Sequence, residues 1–100
     1  MINLSSSQRR YLSRLAHDLD PAVMVGKKGF TEEIVVAVED ALSRNELLKI
    51  RFVDFKADRI IISDELAGRV GALIVRIIGN VAIMYRPHRE AEKRRISLPA

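Results

Sequence analysis

The stretch "VMVGKKGFTEEIVVAVEDAL", residues 23–42, decides how this chain is read. Ala22 to Val25 form a short apolar run with the character of a strand, and Gly26 ends it. Two lysines then stand between Gly26 and Gly29, and a helical pattern follows at once. Thr31 suits the N-cap, Glu32 and Glu33 complement the positive end of a helix, and Phe30 is spaced to staple onto Val35. Ile34, Val38, Ala41 and Leu42 share one face, and Arg44 with Asn45 marks the helix end. The stretch therefore predicts strand, glycine turn and helix, with two positive charges carried on the turn.

Upstream, Ser5 and Gln8 form an S-x-x-Q capping box, in which each side chain can satisfy a backbone N–H of the other. Leu12, Leu15, Ala16 and Leu19 continue at helical spacing, and Pro21 marks the end of this first helix just after Asp20. Downstream, "LLKIRFV" alternates Leu48, Ile50 and Phe52 with Lys49 and Arg51, the period-two mark of a strand with one buried face. Asp58 is placed to cap a third helix with Ile62, Leu66 and Val70 on one face, ending near Gly71, although "RIIIS" is also β-prone. "ALIVRII" and "VAIMY" flank Gly79-Asn80, a two-residue hairpin connection. The order α-β-α-β-α-β-β predicts an α/β fold. Its four-stranded mixed sheet is layered with helices, with parallel strands joined by crossover helices and a final antiparallel hairpin.

A chain of 100 residues with 48% hydrophobic and 30% charged content reads as a single globular domain over residues 1–100, with a basic tail from about residue 86. Ile96 and Leu98 are placed to dock an extended, partly ordered end onto the body. The absence of cysteine removes disulfides and thiolate metal sites and is compatible with a reducing compartment. The N-terminus lacks the apolar core of a signal peptide, and the apolar runs are too short to cross a bilayer, so the expectation is a soluble, cytoplasmic protein with no membrane partner.

The net charge of +4 is unevenly spread. Residues 1–31 hold five Lys/Arg against two Asp/Glu, as do residues 86–100, giving +3 each, while residues 32–85 hold seven against nine, giving −2. If the fold joins the basic sections, the surface is polarised toward a polyanion.

GKKG has the layout of a GxxG loop between a strand and a helix start. Glycines permit close backbone approach, exposed helix N–H groups favour anions, and Lys27 and Lys28 add compact charge. Phosphate fits such a site, and the KH module clamps a nucleic-acid backbone with a GxxG loop. A bare GxxG is more often a tight solvated turn, but the two lysines inside it, the helix start after it and the basic first helix before it point toward backbone binding. Arg9, Arg10 and Arg14 on the first helix read either as a solvated face or as part of the same site, and Arg86, Arg89, Lys93, Arg94 and Arg95 as a basic arm or as solvation. Tyr11 and Tyr85 adjoin apolar stripes and are assigned to core packing ahead of base stacking.

Catalysis finds little support. His17 and His88 have no metal-ligand spacing, no cysteine nucleophile or G-x-S-x-G elbow exists, and neither nucleotide-binding glycine motif occurs. No metal, organic cofactor or small-molecule substrate is expected.

"SSSQRRYLSRLAHDLDPAVMVGKKGFTEEIVVAVEDALSRNELLKIRF", followed by "IIGNVAIMYRP" and "ISLP", resembles the YhbY family of small bacterial RNA-binding proteins. That family consists of a single CRM domain, the chloroplast RNA splicing and ribosome maturation domain. The resemblance covers nearly the whole chain and shows no departure at the loop. It implies a fold similar to the C-terminal domain of bacterial translation initiation factor three and a setting in the precursor of the large ribosomal subunit. RNA, expected to be ribosomal, would be bound around Gly26, Lys27, Lys28 and Gly29, with Arg9, Arg10 and Arg14 on the first helix. Beside what the resemblance implies, Thr31 at the helix start and Arg86 at the base of the tail are expected to join the RNA-binding surface. The alternative is a protein-interaction domain that docks its basic face on an acidic partner.

Overall fold

In the computed structural model, which describes residues 3–100, Ser5 opens α1 (Ser6–Ala16) through the full capping box. Gln8 N donates to Ser5 Oγ at 3.2 Å, and Ser5 N donates to Gln8 Oε1 at 2.9 Å. The helix stops at Ala16, four residues before the expected end at Asp20. The last turn tightens, with Leu19 N donating to Ala16 O at 3.0 Å, and just beyond it Lys49 Nζ holds the carbonyls of His17 and Leu19 at 3.1 and 3.0 Å, where a longer helix would need further N–H donors. Only Leu12 and Ala16 of the expected stripe are buried, and Leu15 and Leu19 stay exposed.

The second element, β1 (Val23–Val25), leads through the glycine turn into α2 (Glu32–Arg44), and β2 (Leu47–Phe52) follows. Thr31 caps α2 as predicted, its Oγ1 accepting from Ile34 N at 3.2 Å. Beyond β2 the chain passes through a short 3-10 turn, Lys56–Asp58, into α3 (Arg59–Val70), which Gly71 ends with φ 67°. Asp58 occupies the cap position but its side chain makes no capping bond, because the preceding 3-10 turn supplies the entry instead. The hairpin of β3 (Leu73–Ile78) and β4 (Val81–Tyr85) turns at Gly79-Asn80.

The strand order is β1-β2-β4-β3. β1 and β2 are parallel neighbours joined by α2. β4 inserts between β2 and β3 and is antiparallel to both, so β2 and β3 run in the same direction without touching.

Both faces of this sheet are covered, one fully and one in part. Val25, Ile50, Phe52, Ala82 and Met84 pack against Val38 and Leu42 of α2 and Leu66 of α3. On the opposite face Leu47, Val75, Ile83 and Tyr85 pack against Leu12 and Ala16 of α1. The single buried face expected for β2 is therefore incomplete, since Leu47 is buried as well. Ile96 and Leu98 dock onto this second core, as expected of the tail.

The tail is also held by an unforeseen carboxylate. Glu46, only 7% exposed, accepts from His88 N at 2.8 Å through Oε2 and from Arg95 N and Ile96 N at 2.7 and 3.0 Å through Oε1. Burial opposes its ionisation, but these three N–H donors outweigh burial and hold the carboxyl below its ordinary range.

Candidate nucleic-acid interface

The two glycines of GKKG do different work. Gly29 N donates to Gly26 O at 3.0 Å, closing the turn with Gly29 at φ 64°. The positive φ favours glycine there, and an added Cβ would lie only 3.1 to 3.3 Å from three atoms of the Phe55 ring, which would have to shift. Gly26 has neither constraint: an added Cβ would meet open space. Its lack of a side chain leaves its backbone accessible to whatever approaches the turn.

Lys27 and Lys28 are exposed, and among the described residues no ion pair engages either one. Two acids of α2 are occupied elsewhere, Glu32 by Arg69 at 2.7 Å and Glu39 by Arg86 and Arg89. The Arg69 hydrogen bond holds the Glu32 carboxyl below its ordinary range. The loop lines an open hollow of about 430 Å³ with Met24, Thr31 and Glu33, the last being its one acidic side chain. Thr31 Oγ1 accepts the cap bond and keeps its own proton to donate.

The arginines of α1 divide. Arg9 is committed internally, its Nη1 donating to Ile74 O and Val75 O at 2.8 and 2.7 Å, where β3 is bulged. Arg10 and Arg14 are exposed and line a second hollow of about 460 Å³ with His17, Asp18, Arg76 and Ile78. This hollow shares no lining residue with the loop, so the two do not form one immediate patch.

A row of the sheet lies between them. Met24 pairs with Arg51, Arg51 with Val81, and Val81 with Ile78, one residue from each strand. Their strand neighbours Val25, Ile50, Ala82 and Ile77 belong to the core under α2 and α3, so alternation places this row on the α1 face. The helix does not cover it: Met24 is 56% and Ile78 55% exposed, and Arg51 is exposed as well. At a strand spacing of about 4.8 Å the row spans roughly 14 Å.

Arg86 has to be removed from the candidate site. It is 6% exposed, paired with both oxygens of Glu39 and bonded to Val70 O. Its position next to the tail hid a partner on α2. Arg51 and Arg76 join the candidate surface, and the sequence carried a signal for both: Arg51 alternates with Lys49 on the outward side of β2, and Arg76 is the one cation of the otherwise apolar β3.

Among the described residues no cluster of three or more His, Asp or Glu side chains gathers to hold a metal ion, and no helix is long and apolar enough to cross a membrane.

Residues 4–86 match the CRS1 / YhbY (CRM) domain family. The chain is 37% identical, over 99% of its length and 98% of the relative's, to a Haemophilus influenzae protein named "RNA-binding protein". It is 29% identical to the Bacillus subtilis protein named "Probable RNA-binding protein YqeI", over 96% of this chain and 99% of that one. The solution structure of a hypothetical protein from Staphylococcus aureus superposes with a TM-score of 0.78 at 30% identity, covering 97% of this chain and all of the other.

Proposed function

Since the chain belongs to the CRS1 / YhbY (CRM) domain family, we propose that it is a non-catalytic RNA-binding module that grips the RNA backbone at the GKKG loop. The observation that carries this reading is the pair of exposed, unpaired lysines on a glycine turn that leads directly into a capped helix. There a phosphate would meet the turn's backbone, the lysine ammonium groups and the Thr31 hydroxyl together. The names of the relatives support RNA as the polyanion.

From the loop, the backbone would cross the open row past Arg51 to Arg76, Arg14 and Arg10. The expected RNA is ribosomal, in the cytoplasmic precursor of the large ribosomal subunit, and the module would need no cofactor.

The test is equilibrium binding of RNA to the Lys27→Ala, Lys28→Ala double variant across a salt series. Affinity should fall, and the salt slope should decrease by about one unit for each lost phosphate contact. A folded double variant with wild-type affinity and slope would refute the loop assignment. Crosslinking in cells, followed by sequencing of the attached RNA, tests the ribosomal setting. Recovery of protein partners without RNA would favour docking on an acidic protein.

A further inference from the structure

Aromatic side chains are scarce in this chain, and nearly all are spent in its cores. Phe52 is fully buried, Phe30 packs against the core under α2, and Tyr11 and Tyr85 belong to the core under α1. Phe55 is different. The residue is 39% exposed, and one edge of its ring lies against Gly29 of the GKKG loop.

The backbone that presents this ring is unusual. Phe55 sits at φ 54° and ψ 36°, and it is the one non-glycine residue with positive φ among those described. Bulky residues avoid that region because Cβ crowds the following carbonyl, and glycine or asparagine would occupy it at lower cost. The local bonds are specific. Val53 N and Asp54 N both donate to Val25 O, at 2.9 and 3.1 Å, tying this segment to the residue just before the loop. Phe55 N donates to Asp54 Oδ1 at 2.7 Å, and Asp58 N donates to Phe55 O at 3.0 Å. An aromatic residue is thus held in a disfavoured conformation, half out in water, beside the turn that would hold a phosphate. Backbone strain of this kind gathers where a side chain must be aimed.

We propose that Phe55 is a base-stacking residue, receiving an unpaired base of the RNA strand whose phosphates lie on GKKG. The proposal rests on the RNA-binding reading and adds to it a contact with a base. A π-face accepts any base, so the contact selects unpaired RNA over duplex, whose bases are stacked away, more than it selects a sequence. It also gives this small, basic surface a means of recognition that charge alone lacks.

The experiment compares wild type, F55L, F55G and F55W for binding to an unstructured RNA oligomer, an abasic oligomer of equal length and charge, and an RNA duplex, at fixed salt. F55L removes the π-face while keeping apolar cover on Gly29, and F55G accepts the positive φ without strain, so at least one ring-less variant should remain folded. The ring-less variants should bind the unstructured oligomer between about fivefold and about a hundredfold more weakly. Their salt slope should be unchanged, and they should show no deficit on the abasic oligomer or the duplex. F55W should retain wild-type affinity, and its fluorescence should change on adding RNA. If folded F55L and F55G bind all three ligands as wild type does, while the Lys27, Lys28 double variant is impaired, stacking is refuted and the phosphate site survives. If wild type binds no RNA, both readings fall together.

Discussion

The Arg86 guanidinium meets the Glu39 carboxylate in a two-pronged pair, Nη1 to Oε1 at 2.9 Å and Nη2 to Oε2 at 2.7 Å, and Nη1 also reaches Val70 O at 2.9 Å. One side chain at the end of β4 thereby ties α2 to the last turn of α3. Arg86→Ala should cost about 1–3 kcal/mol, toward the lower end because Glu39 is 42% exposed and can regain water. The Val70 carbonyl would lose a charged donor in the same variant. Thermal unfolding checks this, and RNA affinity per folded molecule should be close to wild type.

The glycines of the loop should respond in opposite ways. Gly29→Ala places a Cβ in the left-handed region and against the Phe55 ring, at a cost of about 1–2 kcal/mol or more. Gly26→Ala meets open space and should change stability by less than about 0.5 kcal/mol. A drop in RNA affinity for the stable Gly26→Ala protein would show that the strand approaches the loop closely at that residue.

Acid should loosen the tail before it unfolds the sheet. The Glu46 carboxyl is held below its ordinary range, so its contribution is fully present above the unfolded value and is lost as pH falls through the lower folded one. The window therefore lies below about pH 4.3, the unperturbed glutamate value. Hydrogen exchange at the Arg95 and Ile96 amides, which donate to Glu46, should accelerate there. Glu46→Gln, which keeps one acceptor and loses the charge, should bring the same acceleration at neutral pH at a cost of about 1–2 kcal/mol.

Arg9 and its neighbours on α1 should separate stability from binding. Arg9→Ala removes a charged donor from two carbonyls of bulged β3 and should destabilise by about 1–3 kcal/mol. Arg10→Ala and Arg14→Ala should leave stability within about 0.5 kcal/mol and reduce RNA affinity with a shallower salt slope. Denaturant titration together with RNA binding distinguishes the two patterns.

Much of the secondary structure was legible because its signals act over a few residues. The Ser5–Gln8 box, the Thr31 cap and the Gly79-Asn80 hairpin each depend on neighbours close in the chain, and each formed as its spacing predicted. Alternation likewise identified the buried side of β2. The end of α1 was not legible, because the Lys49 ammonium that holds the carbonyls of His17 and Leu19 just beyond it comes from β2, far away in the chain.

The candidate site divides along the same line. By itself the sequence determined that two lysines stand on a glycine turn ahead of a capped helix, since glycine, lysine and N-cap chemistry are local. Only the tertiary structure decided which other cations are free to meet a ligand. Arg86 is consumed by Glu39, 47 residues away in the chain, and Arg9 by carbonyls 65 and 66 residues away, whereas Arg10, Arg14, Arg51 and Arg76 remain at the surface. The placement of β4 between β2 and β3 also lays Met24, Arg51, Val81 and Ile78 in one open row. A side chain's charge is written in its residue type, but its availability depends on partners that folding brings from elsewhere in the chain.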